Sequence, residues 1–313
     1  MTKKMTKIGT SMADDKDAPI AYLQRTRDYY LGLGYDNPYE WACFDKVPFT
    51  KLAKPVSEAR IAVVVTAAPY QPDKGDQGPG APYNGAAKFF SVYQLPIQPE
   101  PDLRISHIAI DRAHTSAADS RTFLPLAAML RAHKKGKIGE VAPNLYGFPT
   151  NRSQRTNIEI DAPELVKRLQ RDDIDAIIAV PNCPVCHQSV SIAARAAEAA
   201  GIPAVIMGCA RDIVEHVGVS RFYFSDFPLG NSCGRPDDIP SQDETLTGAL
   251  SLLAKAGQPR TTWQSPLRWP GPKNWKDDYS NIKKLSEDEI AKRRSDFDKA
   301  KIAAKNSSEK SAS

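Results

Sequence analysis

No apolar run in the sequence approaches the ~18 residues that a membrane-spanning helix requires, so the chain is expected not to meet a membrane. Residues 1–17 lack the apolar stretch of a secretory leader. The chain is therefore expected in the cytoplasm, where thiols stay reduced. Cysteine is scarce: Cys43, Cys183, Cys186, Cys209 and Cys233 are the only five in 313 residues. An odd number without small-domain spacing excludes a disulfide framework, and a chain this long buries enough core to need none. No Gly-x-Gly-x-x-Gly follows a strand-like run, and no Gly-x-x-x-x-Gly-Lys-Ser/Thr occurs, so a nucleotide cofactor has no support. A Gly-x-Ser-x-Gly elbow is also missing, and there is no internal repeat. The net charge of +5 resides mainly in the tails: residues 18–280 hold 29 basic and 28 acidic side chains. Without clustered basic residues on the body, nucleic acid is not an expected partner.

What is present reads as an α/β protein with a doubly wound, mostly parallel sheet, either as one body or as two lobes around a central cleft. Residues 1–17 are expected to be a disordered tail, 18–280 the catalytic body, 281–303 a C-terminal helix and 304–313 a second disordered tail. A helix is expected over Tyr22–Leu33 and a doubly buried strand over Arg60–Thr66. The Pro- and Gly-rich stretch Ala67–Gly85 after that strand is long for a connection and so reads as functional. A second strand is expected at Leu103–Ile110 and a helix at Leu124–His133. Residues 134–157 read as irregular, and a helix follows at Ala162–Gln170. The clearest unit is a strand at Ile174–Val180, a turn at Pro181–His187, a helix at Ser189–Ala200 stopped by Gly201, and a strand at Pro203–Met207. Residues 258–280 hold three of the four tryptophans and read as a wrapping loop. Ser286 with Glu289 forms a capping box.

Three segments could carry chemistry. Cys183 and Cys186 stand at a strand-to-helix junction, where a helix amino terminus stabilises a thiolate. A second thiol three residues on can resolve a mixed disulfide, and His187 beside it titrates near neutrality. On this reading Cys183 is the most reactive thiol. A competing reading makes Cys183, Cys186 and His114 or His107 ligands of a metal in a lyase or hydrolase. In Asp111–Asp119, Arg112 suits a bidentate clamp on an anion and His114 suits acid–base work, with Asp111, Thr115 and Ser116 as further contacts. The third segment, Asp226–Pro236, offers Asp226, Asn231, Cys233 and Arg235. His107, His133 and His216 are isolated and read as ordinary surface or core residues.

Several of these runs together resemble the B-component family of glycine, sarcosine, betaine and D-proline reductases, many of whose members are selenoproteins. The resemblance rests on Ser106-His107 with Asp111, on Asp111-Arg112-x-His114-Thr115-Ser116-x-x-Asp119, and on Ile138-Gly139 through Tyr146-Gly147-Phe148. It rests further on Pro181-x-Cys183-Pro184-x-Cys186-His187-Gln188 and on Asp226–Asn231 with Cys233-Gly234-Arg235-Pro236. It implies that Cys183 occupies the selenocysteine position and acts as the nucleophile, with Cys186 resolving. It also implies reductive cleavage of a carbon–nitrogen bond, the substrate being activated as an imine on a pyruvoyl group carried by a separate subunit. No cofactor is expected within this chain. The expected partners are a small amino-acid-like substrate, a partner subunit or thiol reductant, and further copies in a homo-oligomer. A non-catalytic subunit of such a complex is the remaining alternative.

Overall fold

Short runs of β-branched and small apolar residues build the core of the chain, whose computed structural model describes residues 18–37, 39–78, 81, 84–105, 109–150, 153–271 and 274–312. The strands are β1 (Arg60–Val65), β2 (Ala68–Pro69), β3 (Tyr93–Pro96), β4 (Leu103–Arg104), β5 (Glu140–Val141), β6 (Asn144–Gly147), β7 (Ala176–Val180), β8 (Ala204–Gly208), β9 (Arg221–Phe224) and β10 (Thr261–Gln264). The helices are α1 (Tyr22–Gly32), α2 (Leu126–Lys134), α3 (Gln154–Thr156), α4 (Ala162–Arg171), α5 (Pro184–Ala199), α6 (Arg211–Val217), α7 (Ile239–Lys255), α8 (Trp275–Asp278) and α9 (Glu287–Ala312). A π-helical turn, Asn157–Asp161, joins α3 to α4.

One sheet runs in the order β10-β9-β8-β7-β1-β6-β3, with β5 beside β6 on the same flank of β1. All its pairings are parallel except that of β3 with β6. Both faces are covered. Ile61, Val63, Val65, Ile178 and Val180 pack toward α2 and α7 through Met129, Leu246 and Leu250. Ala62, Val64, Ile177 and Ala179 pack toward α4 and α5 through Leu165, Leu169 and Val190. Burying each large aliphatic side chain contributes roughly 1.5–3 kcal/mol, which is why β1 and β7 read as continuous apolar runs.

The chain passes from β1 to one flank, through β5 and β6, then returns to place β7 on the other flank. The carboxyl ends of β1 and β7 therefore form the switch point of a doubly wound sheet, where ligands bind in such folds.

Several elements differ from expectation. The strand at Leu103–Ile110 shrinks to β4, which pairs antiparallel with β2 outside the main sheet; residues 106–108 lie outside the described residues. Ile105 and Ile110 are buried individually from a loop, so the apolar pattern reported burial and not pairing. Residues 134–157 hold β5 and β6, hidden in the sequence by Pro143 and Gly147. The 258–280 segment contributes edge strand β10 and helix α8. Helix α9 begins at the Ser286–Glu289 capping box, where Ser286 N–H and O–H both donate to Glu289 Oε2, and runs past Ala303 to Ala312. Residues 1–17 lie outside the described residues.

Candidate active site

The turn after β7 is built for a helix start. Cys183 is the N-cap of α5 in extended conformation, and Pro184 follows at the first helical position, where its fixed φ and missing N–H cost nothing. The helix thus begins five residues earlier than expected. Cys186 and His187 sit inside its first turn. Cys183 Sγ accepts the Cys186 N–H at 3.2 Å, and the Cys186 side chain hydrogen-bonds the same sulfur. The turn is tied to β1 by Asn182 Nδ2, which donates to Thr66 Oγ1 at 3.1 Å.

Cys183 lines a cleft of about 1030 Å³, together with Lys88, Asp111, Arg112, Asp278 and Tyr279. Cys183 is only 5% exposed and Cys186 is fully buried. Burial, with the Cys186 thiol alongside, holds the Cys183 thiol well above its ordinary pKa; the Cys186 N–H and the Lys88 charge oppose this. The helix terminus is present as expected, yet desolvation outweighs it. Cys43, by contrast, is exposed. In the resting protein access alone therefore favours Cys43 over Cys183.

His187 cannot shuttle protons here. Its Nδ1 lies 2.8 Å from the Cys183 carbonyl, which can only accept, so Nδ1 carries the proton. Its Nε2 accepts the N–H groups of Cys209 and Ala210 at 2.9 and 3.1 Å. The ring is fully buried and braces α5 against the end of β8, where Gly208 leaves it room: a Cβ there would stand 2.9 Å from the imidazole. Burial lowers its pKa from 6.5 to about 4, against the pull of the Cys183 carbonyl. An unfolded His187 takes up a proton below its ordinary pKa that the folded ring refuses. Stability conferred by the neutral ring is thus complete above pH 6.5 and lost as pH falls toward 4, by about 3 kcal/mol in all. Urea unfolding midpoints at pH 7 and 4.5 should show this loss, and His187→Gln should reduce it. An unchanged pH dependence in that variant would remove His187 as its source.

Arg112 and Asp111 stand on the cleft wall. Arg112 Nε donates to Ala81 O at 2.9 Å; burial lowers its pKa, while the Tyr279 and Cys183 groups raise it. Asp111 is buried, which raises its carboxyl pKa against the opposing effect of His114. His114 Nδ1 meets the Asp111 oxygens at 3.0 and 3.1 Å, and its Nε2 is 3.6 Å from Asp278 Oδ2. The imidazole therefore lies behind two wall carboxylates and reaches the cleft through them.

The remaining expected contacts lie off the cleft wall. Thr115 Oγ1 accepts the Asn231 amide at 2.7 Å, so the two hold their loops together. Ser116 is exposed and accepts the Ala118 N–H. Asp226 pairs with Lys276 and so anchors α8. Arg235 pairs with Asp238 at 2.8 Å. In the structure these five side chains are engaged by other protein groups. Cys209 and Cys233 are buried, with Cys233 N–H bound to Thr122 O at 2.8 Å. Among the described residues no three His, Cys, Asp or Glu side chains are grouped to hold a metal, so Cys183, Cys186 and His114 do not form a ligand set; His107 lies outside the described residues.

Lys88 and Tyr279 escaped the sequence reading. The Pro- and Gly-rich stretch that reads as functional ends at Gly85, three residues short of Lys88. Tyr279 sits in the tryptophan-rich wrapping segment, where it donates to Ala109 O at 2.9 Å.

The fold is that of an α/β protein in which a buried pair of cysteines borders a cleft of small-ligand size. In sequence the chain is similar to subunits of the D-proline, glycine, sarcosine and betaine reductase complexes. It is 28% identical to D-proline reductase subunit gamma of Acetoanaerobium sticklandii over 155 residues, 49% of this chain and 64% of that one. It is 26% identical to glycine reductase complex component B subunit gamma of Symbiobacterium thermophilum over 236 residues, 74% of this chain and 53% of that one. Sarcosine reductase complex component B subunit beta of Peptoclostridium acidaminophilum is 23% identical over 193 residues, 61% of this chain and 43% of that one. The chain thus spans between about two fifths and two thirds of the length of these curated relatives. No protein-family model and no solved structure matches it. Among the described residues no helix is long and apolar enough to cross a membrane.

Proposed function

We propose that this chain is the thiol-bearing subunit of a reductase complex that cleaves a carbon–nitrogen bond of a small amino-acid carboxylate, with Cys183 and Cys186 as its dithiol. The observation that carries this reading is the placement of Cys183 Sγ at the cleft wall, on the amino end of α5, with Cys186 in hydrogen-bond contact behind it. The relatives' names supply the substrate class: glycine, sarcosine, betaine and D-proline. Arg112 holds the carboxylate, because a planar guanidinium matches its two oxygens.

In the net reaction the C–N bond is replaced by one C–H and one N–H bond. The two protons and two electrons come from the thiols, which end as a disulfide. An external thiol reductant then restores the pair. A pyruvoyl group, where a partner subunit brings one, supplies the electron demand that makes an amine a leaving group. The open cleft accommodates a group brought from outside, and His114 with Asp111 and Asp278 can pass a proton to the departing nitrogen.

The test is a single turnover with reduced protein and no added thiol, offering each of the four compounds with and without a pyruvoyl-bearing partner. The expected result is one equivalent of cleaved product and a mass loss of two hydrogens, mapped to Cys183 and Cys186. Product formed while both thiols stay reduced would overturn the dithiol role. Binding without cleavage under every condition would make the chain a substrate-holding subunit instead.

A further inference from the structure

The cleft wall holds a cation that none of the sequence motifs contains. Lys88 follows the turn Gly85–Ala87, whose Ala86 and Ala87 N–H groups donate to Asn84 Oδ1 at 3.0 and 3.3 Å. The Asn84 amide in turn donates to Lys74 O and Asp76 O at 2.7 and 2.9 Å. This turn is therefore fixed before Lys88 enters the cleft. Lys88 lines the same cavity as Cys183 and Arg112, and its charge acts on the sulfur. The other titratable or charged groups around that sulfur are Cys186 on α5, Arg112 and Asp111 from the loop after Ile110, and Asp278 and Tyr279 at the end of α8. Both carboxylates are engaged: Asp111 by His114, and Asp278 by Lys284 at 2.6 Å. Lys88 and Arg112 are the cationic groups whose charge meets that of the sulfur.

We propose that Lys88 is a specificity-determining residue that, with Arg112, holds a ligand carboxylate beside the Cys183 sulfur. This deepens the reading above and rests on Cys183 being the nucleophile. An ammonium and a guanidinium together select a carboxylate over an uncharged carbonyl, since each adds a charge-assisted hydrogen bond. A short acid held there presents its α-carbon, one bond from the carboxylate, to the thiolate. The ligand class is a small α-substituted carboxylate.

Iodoacetate and iodoacetamide test this without any natural substrate. The two reagents are alike in size and differ in charge; with either, the thiolate forms a C–S bond at the methylene carbon and iodide leaves. The experiment uses the full chain in a Cys43→Ser background, because Cys43 is exposed. The rate of modification at Cys183 is followed by peptide mass. Lys88→Met is expected to lower the iodoacetate-to-iodoacetamide rate ratio about tenfold, the scale of one charge-assisted contact, and Lys88→Arg to keep it within about threefold. The ratio cancels changes in thiol ionisation or access, which affect both reagents alike. Lys88→Gln gives the same readout should the methionine variant fail to fold. An unchanged ratio with Cys183 still labelled overturns the role of Lys88 alone. Labelling of Cys186, Cys209 or Cys233 ahead of Cys183 overturns this inference and the nucleophile assignment together.

Discussion

Cys183→Ser is expected to abolish reductive cleavage, lowering turnover by about a thousandfold or more. A hydroxyl in this position stays protonated across the working pH range, and it cannot form a disulfide with Cys186. Both the attack and the electron transfer are lost together. Misfolding is not the cause, because serine is a better N-cap than cysteine and its oxygen can accept the Cys186 N–H that Sγ accepts now. The thermal midpoint should therefore be unchanged or slightly raised. Cys186→Ser separates the two steps: the first attack survives and the resolution does not. That variant should stall after one equivalent, with substrate-derived mass left on Cys183. Cys183→Ser retaining more than a tenth of wild-type turnover in the reconstituted complex would remove Cys183 from the chemistry.

The largest effect on stability is expected at Glu198. It forms an ion pair with Arg221 at 2.6 Å, both side chains being fully buried. Glu198 Oε1 also accepts from Ser220 Oγ at 2.6 Å and from Ala204 N–H at 2.8 Å, and Oε2 accepts the Thr50 N–H at 2.5 Å. Arg221 Nη2 donates to Thr50 O at 2.7 Å, and the guanidinium lies 4.4 Å from the centre of the Phe49 ring. Glu198→Ala would strand the guanidinium and three backbone or hydroxyl donors in the interior. A loss of about 3–5 kcal/mol is expected, because the cost is that of an uncompensated buried charge. The corresponding fall in the thermal midpoint is roughly 10 °C. Replacing both partners, Glu198→Leu with Arg221→Met, should cost less than the sum of the single changes, since no lone charge is left. A Glu198→Ala loss below ~1 kcal/mol in chemical denaturation would show that the cluster relaxes or admits water.

This cluster also shows why α5 does more than carry the cysteines. The extended segment 39–50 lies along one face of that helix. Gln188 holds Tyr39 Oη and the Ala42 N–H, each at 2.7 Å. Arg195 holds Lys46 O at 2.7 Å and stacks 4.1 Å from the Phe44 ring centre, and Glu198 holds Thr50. Residues 188, 195 and 198 share a helical face by the 3.6-residue period. Tyr39 lines the cleft at one end of this segment, so the helix that carries Cys183 also positions a second part of the cleft lining.

Local pattern by itself determined the unit that carries the two cysteines. β-branched runs, Pro184 at a helix start and Gly201 in a left-handed conformation (φ 86°) after its end are nearest-neighbour effects, legible without knowing what the unit packs against. The same is true of the capping box that opens α9. Tertiary structure alone decided what the neighbours do. β6 lies between a proline and a glycine and becomes a strand because β1 offers it a partner on its open flank. His187 follows Cys186 directly and would suit a proton relay by adjacency, yet the N–H groups of Cys209 and Ala210, more than twenty residues away, occupy its second nitrogen. Thr115, Asn231 and Arg235 looked like ligand contacts by type and became fasteners between loops. Lys88 belongs to no motif and shares the cleft with Cys183 only because the chain after β1 folds back over the switch point. Short-range propensity acts over a few bonds and so is written in the sequence. Charge, burial and hydrogen-bond saturation act through space, and only the assembled sheet brings together the groups that set them.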